Sequence, residues 1–308
     1  MGVKESTLSV GIGKLKLKSP VIAASGTFGY GEEYRELVSL SSIGGIVTKS
    51  ISLKAYEGNK PPRIWETTAG MLNSIGLQNE GVGAFIESKL SDLKRLPTAV
   101  IVSIAGDQKD EFRELAKRLD KTSIDAIEIN ISCPNIKHKS KSRLFSQDPD
   151  ATAEIVRAVR RNTKKPLITK LSPNVTDITE IAKAAERAGT DAISLINTVI
   201  GMAVDIDTKR PRLGNVTGGL SGPCIKPIAL RMVWEVYNAV KVPVIGMGGI
   251  MNTEDAIEFF LCGASAIQVG TANFINPRAT TEVVAGLREY LKKNKLTSIK
   301  DLIGKLKI

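Results

Sequence analysis

The sequence predicts a single closed (β/α)8 TIM barrel, an α/β fold with a small N-terminal hairpin and long βα loops over one end. Three observations predict it. Eight short β-branched apolar runs alternate with longer stretches whose apolar residues recur every three or four positions. The short runs are apolar almost throughout, as strands buried on both faces of a parallel sheet must be. A chain of 308 residues is also of the size at which eight βα units close into one domain.

In chain order, residues 8–18 alternate Val10, Ile12, Leu15 and Leu17 and read as a hairpin capping the barrel bottom. Strands are expected at 21–24, 45–49, 99–104, 126–131, 167–171, 192–196, 244–246 and 266–270. Helices are expected at 32–39, 83–93, 109–119, 151–161, 178–188, 225–240, 253–261 and 278–292. Asn252 is an N-cap candidate, with Glu254 and Asp255 in the first turn that follows. Pro166 and Pro243 stand immediately before strands. Nothing in the composition marks a linker, so residues 1–308 are expected as one domain. Three connections, 50–80, 132–150 and 197–223, are too long to be simple links. Long loops in a compact fold usually carry function, and barrel active sites form at the carboxyl ends of the strands.

Composition narrows the chemistry. Apolar residues make up 42% and charged residues 24%, a globular balance. The 43 basic and 32 acidic residues give a net charge of +11, but the excess is scattered. Its densest stretch is Lys137-His138-Lys139-Ser140-Lys141-Ser142-Arg143. A solvated surface accounts for it; an anionic substrate or an acidic partner subunit are the other readings. No aromatic residues interleave with the basic ones, so a nucleic-acid partner is not expected. Neither is a membrane partner: no apolar run reaches the ~18 residues of a span, and the N-terminus shows no signal region. Cys133, Cys224 and Cys262 are too few and too widely spaced for a disulfide framework, a zinc site or a cluster, and they suit the cytoplasm. Metal is therefore not expected. The single histidine, His138, sits in the lysine-rich loop, which leaves Ser-His-Asp and Cys-His chemistry without its base.

The strand ends read as one site. They present Ala24-Ser25-Gly26, Thr48-Lys49-Ser50, Ser103, Asn130, Lys170, Asn197-Thr198, Gly246-Met247-Gly248-Gly249 and Gly270-Thr271. A lysine at a buried strand end needs an anion, so Lys49 and Lys170 call for a ligand unless Glu128 or Asp191 pairs with them internally. Glycines after the seventh and eighth strands let backbone N–H groups approach a phosphate. A phosphorylated ring such as FMN fits, with Lys170 facing the flavin edge that gains negative charge on reduction. Asn73, Asn130, Asn197 and Thr198 offer neutral donors and acceptors for a small ligand rich in amide and carboxylate groups. Cys133 follows the fourth strand in a loop stiffened by Pro134 and needs only a positioned thiol to act as a base. Cys224 and Cys262 read as buried structural cysteines.

Residues 130–135 (NISCPN), 73–77 (NSIGL), 170–174 (KLSPN), 24–31 (ASGTFGYG) and Asn197-Thr198 resemble class 1 dihydroorotate dehydrogenases, over essentially the whole chain. Residues 197–205 and 214–227 (GNVTGGLSGPCIKP) resemble the class 1B catalytic subunit in particular. The resemblance implies FMN-dependent oxidation of dihydroorotate to orotate in pyrimidine (UMP) biosynthesis. It implies Cys133 as the base for the C5 proton, with Lys170 also catalytic and hydride passing from C6 to flavin N5. It implies one FMN held by Ala24, Ser25, Lys49, Ser50, Ser103, Asn130, Lys170, Ile196, Gly222, Gly248, Gly249, Gly270 and Thr271. The substrate positions are Lys49, Asn73, Ser74, Ile75, Gly76, Leu77, Asn130, Asn197 and Thr198. It also implies homodimerisation, and a partner subunit carrying FAD and a 2Fe–2S iron–sulfur cluster in a heterotetramer of two of each chain, with NAD as final acceptor.

Two features depart from the family. Ser103 stands where asparagine is usual, and lysines at 137–141 replace common glycines. The alternatives are a class 1A homodimer that uses fumarate, and a phosphate-binding barrel isomerase or lyase without flavin.

Overall fold

The structure, a computed structural model, describes residues 7–132 and 145–308. Its centre is a closed parallel barrel of β1 (Val21–Ala23), β2 (Gly45–Val47), β3 (Ala99–Ile104), β4 (Ala126–Asn130), β5 (Leu167–Lys170), β6 (Ala192–Leu195), β7 (Val244–Met247) and β8 (Ala266–Val269). Each strand pairs with its sequence neighbours, and β8 closes on β1. Nearly every strand residue is buried, so both faces are covered, as the continuous apolar runs required.

Most expected strands end one or two residues early in the structure. Ala24, Lys49, Ile196 and Gly270 lie just past the strands, on the barrel rim, and Leu171 just past β5, in the core. β7 instead extends to Met247.

Helices pack around the barrel through one apolar stripe each. In Lys109–Asp120 the buried residues are Phe112, Leu115, Ala116 and Leu119, at helical spacing. Full burial of the Phe and Leu side chains contributes ~1.5–3 kcal/mol apiece. Caps stop these helices fraying: Asp148 accepts from the amides of Asp150 and Ala151, and Asn252 Oδ1 from Asp255 N at 2.9 Å. The expected helix at 32–39 is only a 3-10 turn, Glu32–Tyr34. Gly29 and Gly31 approach it at positive φ, and Phe28 stacks on Tyr34 at 3.8 Å, which fixes a tight turn rather than a helix. A short helix, Ala272–Ile275, precedes Ala279–Lys293 and was not expected.

The hairpin Val10–Ile12/Leu15–Leu17 caps the barrel bottom. A Cβ on Gly13 would meet Asp191 Cβ at 2.9 Å, and Asp191 immediately precedes β6. At the other end, two of the long loops meet in a four-stranded antiparallel sheet that the sequence pattern did not foretell. Its order is Val199–Met202, Thr217–Ser221, Gly70–Asn73, Ile64–Thr67. Among the described residues no helix is long and apolar enough to cross a membrane.

Candidate active site

A cavity of about 480 Å³ opens at the carboxyl ends of the strands, between the barrel and the lid sheet. Lys170 and Gln268 form its floor from β5 and β8. Ala24, Ser25, Lys49, Ser50, Asn130, Ile196, Asn197 and Thr198 line it from the rim. Gly222, Gly248, Gly249, Gly270 and Thr271 occupy one side, and Asn73, Ile75, Gly76 and Leu77 come from the lid loop. Two positions with an expected contact do not line it. Ser103 is buried behind Ser50, Oγ to Oγ 2.8 Å, and Ser74 lies behind the lid, where Asn59 Nδ2 donates to its Oγ at 3.0 Å. Cys133, His138 and the lysine-rich loop lie outside the described residues.

One chain of hydrogen bonds crosses the rim. Ser103 Oγ meets Ser50 Oγ, Asn130 Nδ2 donates to Ser50 Oγ at 3.0 Å, and Ser132 Oγ donates to Asn130 Oδ1 at 3.0 Å. Asn197 Nδ2 donates to Ser132 Oγ at 2.9 Å, and Thr198 N to Asn197 Oδ1 at 2.8 Å. The ends of β2, β4 and β6 thus hold their polar groups in one fixed orientation, with Ser132 adjacent in sequence to Cys133.

The cations sit as a ligand site requires. Lys170 is 6% exposed, and among the described residues its ammonium has one partner, Glu128 Oε1 at 3.9 Å, beyond hydrogen-bond reach. Internal pairing with Glu128 is therefore present but loose. Asp191, the other candidate partner, is committed at the bottom of the barrel to Arg160 Nη1 at 2.9 Å and Leu167 N at 2.8 Å. Lys49 is half-buried. Burial and the neighbouring Arg63 hold its ammonium below the usual lysine range, against an opposing pull from Glu80. Two neighbouring cations disfavour each other until an anion joins them.

The glycine side of the cavity is a cradle. Gly248 and Gly249 take φ of +117° and +80°, and a Cβ on Gly249 would meet the Lys226 backbone at 2.9 Å. Among the described residues the amides of Gly248, Gly249 and Thr271 donate to no backbone carbonyl. Lys226 Nζ bonds Asp255 Oδ1 at 2.6 Å and Glu258 Oε1 at 3.0 Å, and Asp255 Oδ2 accepts from Met251 N, so the loop is clamped onto the next helix.

These observations fit a flavin mononucleotide: amides without a backbone acceptor beside side-chain-less backbone for a phosphate, a buried cation on the floor, and the buried Oε1 of cavity-lining Gln268, which has no partner among the described residues. Gln268, Met71, Ser221, Met251 and Phe274 line the cavity without having been singled out from sequence. Gln268 had a signal, as a polar residue inside the apolar run of β8. Ser221 and Met71 had none, because only the lid sheet brings them here. Cys224 is exposed in the turn Pro223–Ile225 at the lid's exit and Cys262 is half-buried, so neither is the buried core cysteine expected.

Fold and site together define a (β/α)8-barrel protein whose rim cavity combines a glycine cradle, a buried cation and polar rim groups beneath a lid sheet. A family model described as dihydroorotate dehydrogenase matches residues 7–291. The chain is 55% identical over 302 residues to the "Dihydroorotate dehydrogenase B (NAD(+)), catalytic subunit" of Geotalea daltonii, covering 98% of each chain. It is likewise 55% identical over 307 residues to the protein of that name from Geobacter metallireducens, covering 99% of this chain and all of the relative. Among solved structures, dihydroorotate dehydrogenase from Eimeria tenella in complex with ferulenol superposes with a TM-score of 0.80 at 25% identity, covering 97% of this chain and 88% of that one. The chain belongs to the dihydroorotate dehydrogenase family.

Proposed function

We propose that the chain is the catalytic subunit of an NAD-linked, class 1B-type dihydroorotate dehydrogenase: an oxidoreductase of pyrimidine biosynthesis that oxidises dihydroorotate to orotate with one FMN per chain. The observation that carries this reading is the cavity itself, with the glycine cradle on one side, Lys170 on the floor, and Lys49 with the rim asparagines facing the lid. Bound FMN supplies the acceptor for the hydride leaving C6 and gathers negative charge at its N1–O2 edge.

The chain's own residues do the rest. Gly248, Gly249, Gly270 and Thr271 hold the phosphate with backbone amides. Ala24, Ser25, Ser50, Ile196 and Gly222 enclose the ring, with Ser103 supporting Ser50 from behind. Lys170 meets the ring's developing charge. Lys49 binds the substrate carboxylate, and Asn73, Asn130, Asn197 and Thr198 orient its amides. The 74–77 loop, in which Gly76 has φ +75°, closes over it. Cys133, placed by sequence after Ser132, removes the C5 proton; a thiol suits the task better than a hydroxyl because its ordinary pKa lies much nearer neutrality.

The same reading takes residues 1–308 as one cytoplasmic FMN domain that pairs with itself. It passes electrons to a partner subunit carrying FAD and a 2Fe–2S cluster, two of each chain in the assembly, and from there to NAD. The relatives' designation as catalytic subunits supports a partner.

Expression with ample riboflavin tests the core of this. Yellow protein with one FMN per chain, bleached by dihydroorotate without oxygen, is expected. Colourless protein, or a flavin that dihydroorotate does not bleach, rejects it.

A further inference from the structure

Barrel interiors are ordinarily filled with layers of bulky branched side chains, four to a layer from alternate strands. The layer below this cavity is different. Glu128 on β4, Ser194 on β6 and Gln268 on β8, three alternate strands, meet side chain to side chain. Glu128 Oε2 accepts from Gln268 Nε2 at 2.8 Å and from Ser194 Oγ at 3.1 Å. Glu128 is 0% exposed and does not line the cavity. Its other oxygen, Oε1, has no hydrogen-bond partner among the described residues and points its charge at Lys170 Nζ, 3.9 Å away.

A buried carboxylate anchored on one oxygen and bare on the other is costly to keep. Stability alone would favour an apolar side chain here. We propose that Glu128 is a positioning residue: held by Ser194 and Gln268, it draws the Lys170 ammonium from beneath. It thereby sets where that cation stands and how much of its positive field reaches the cavity. This rests on the reading above that FMN lies over Lys170. Glu128 touches neither FMN nor substrate and acts through Lys170. The 3.9 Å gap leaves the ammonium's hydrogens free for the ligand while the opposite charge moderates it. The bound flavin's reduction potential is then kept lower than Lys170 alone would make it.

The experiment is a reductive titration of the FMN-loaded protein against a reference dye. FMN binding and bleaching of the unsubstituted protein by dihydroorotate test the functional reading separately. Glu128→Gln keeps the shape and an acceptor for Ser194 and Gln268 but removes the charge. It is expected to stabilise the reduced flavin about tenfold, a rise of ~30 mV for a two-electron couple. Glu128→Asp, which keeps the charge but withdraws it by one methylene, is expected to raise the reduced-to-oxidised ratio only about two- to threefold. In a Lys170→Met background Glu128→Gln is expected to change the potential far less, because the cation through which Glu128 acts is gone. An unchanged or lowered potential in Glu128→Gln overturns the assignment. So does an effect of Glu128→Asp as large as that of Gln, or an undiminished shift without Lys170. Should Glu128→Gln fail to load FMN, Glu128→Asp decides alone: a two- to threefold rise supports the role, and none refutes it.

Discussion

At the scale of single residues, Lys49 carries a conflict that makes it testable. Burial and Arg63 disfavour its charge in the ligand-free protein, so its folded pKa lies below the unfolded value. The sign follows: the folded state bears this cost at neutral pH and is relieved of it as pH rises through the lowered pKa. Lys49→Met is therefore expected to raise the melting temperature of ligand-free protein at pH 7, with the gain shrinking toward pH 10. The same change removes the substrate's cation and is expected to raise KM for dihydroorotate about tenfold, the worth of one charge-assisted hydrogen bond. Thermal unfolding at the two pH values and steady-state kinetics check both halves. Cys133→Ser is expected to bind FMN normally yet lose most dihydroorotate oxidation at neutral pH, because a serine hydroxyl is a far weaker base; near-normal turnover would remove Cys133 from that role. Residues such as Lys49 and Lys170 were legible in the sequence because charge at the end of an apolar run is conspicuous. Depth was not. Ser103 and Ser74 are polar and near the right motifs, yet Ser103 backs the lining residue Ser50 and Ser74 meets Asn59 away from the cavity, and only packing decides on which side of Ser50 or of the lid a hydroxyl falls.

At the scale of elements, the loop after β7 is tightly constrained. Gly249 combines a left-handed φ of +80° with a backbone neighbour 2.9 Å from where a Cβ would stand. The Lys226–Asp255–Met251 clamp prevents the loop from yielding. Gly249→Ala is expected to weaken FMN binding about tenfold to a hundredfold, matching ~1–3 kcal/mol of backbone strain. Protein secondary structure should persist; fluorescence titration of ligand-free protein with FMN measures the loss, and unaltered affinity would take the phosphate away from this loop. Strands and outer helices could be placed from the sequence because short, nearly continuous apolar runs and a 3.6-residue period are local signals. The lid sheet could not: it pairs residues 70–73 with 217–221, and register between segments so far apart leaves no local trace. Asn73 and Gly219 face each other in that pairing, and a Cβ on Gly219 would strike Thr198 Oγ1, so the lid's fit over the rim depends on long-range contact.

At the scale of the whole molecule, the proposed assignment sends electrons from the cavity to a partner subunit. Its three cysteines are too few for a cluster, and among the described residues no group of His, Cys, Asp and Glu is arranged to hold a metal. On the proposed assignment, the isolated FMN-loaded chain is expected to oxidise dihydroorotate with an artificial dye while leaving NAD untouched. NAD reduction is expected to appear only when an FAD and iron–sulfur subunit is added. Reduction of NAD by the chain alone would overturn the division of labour. The net charge of +11 enters at this scale too. If its role is to draw an acidic partner, coupled NAD reduction at limiting partner concentration should fall steeply as salt rises from about 0.05 to 0.5 M, because screening shortens the reach of surface charge from ~14 to ~4 Å. Dye reduction by the chain alone, which needs no partner, serves as the control over the same range. A coupled rate no more sensitive to salt than that control would assign the positive charge to ordinary solvation instead.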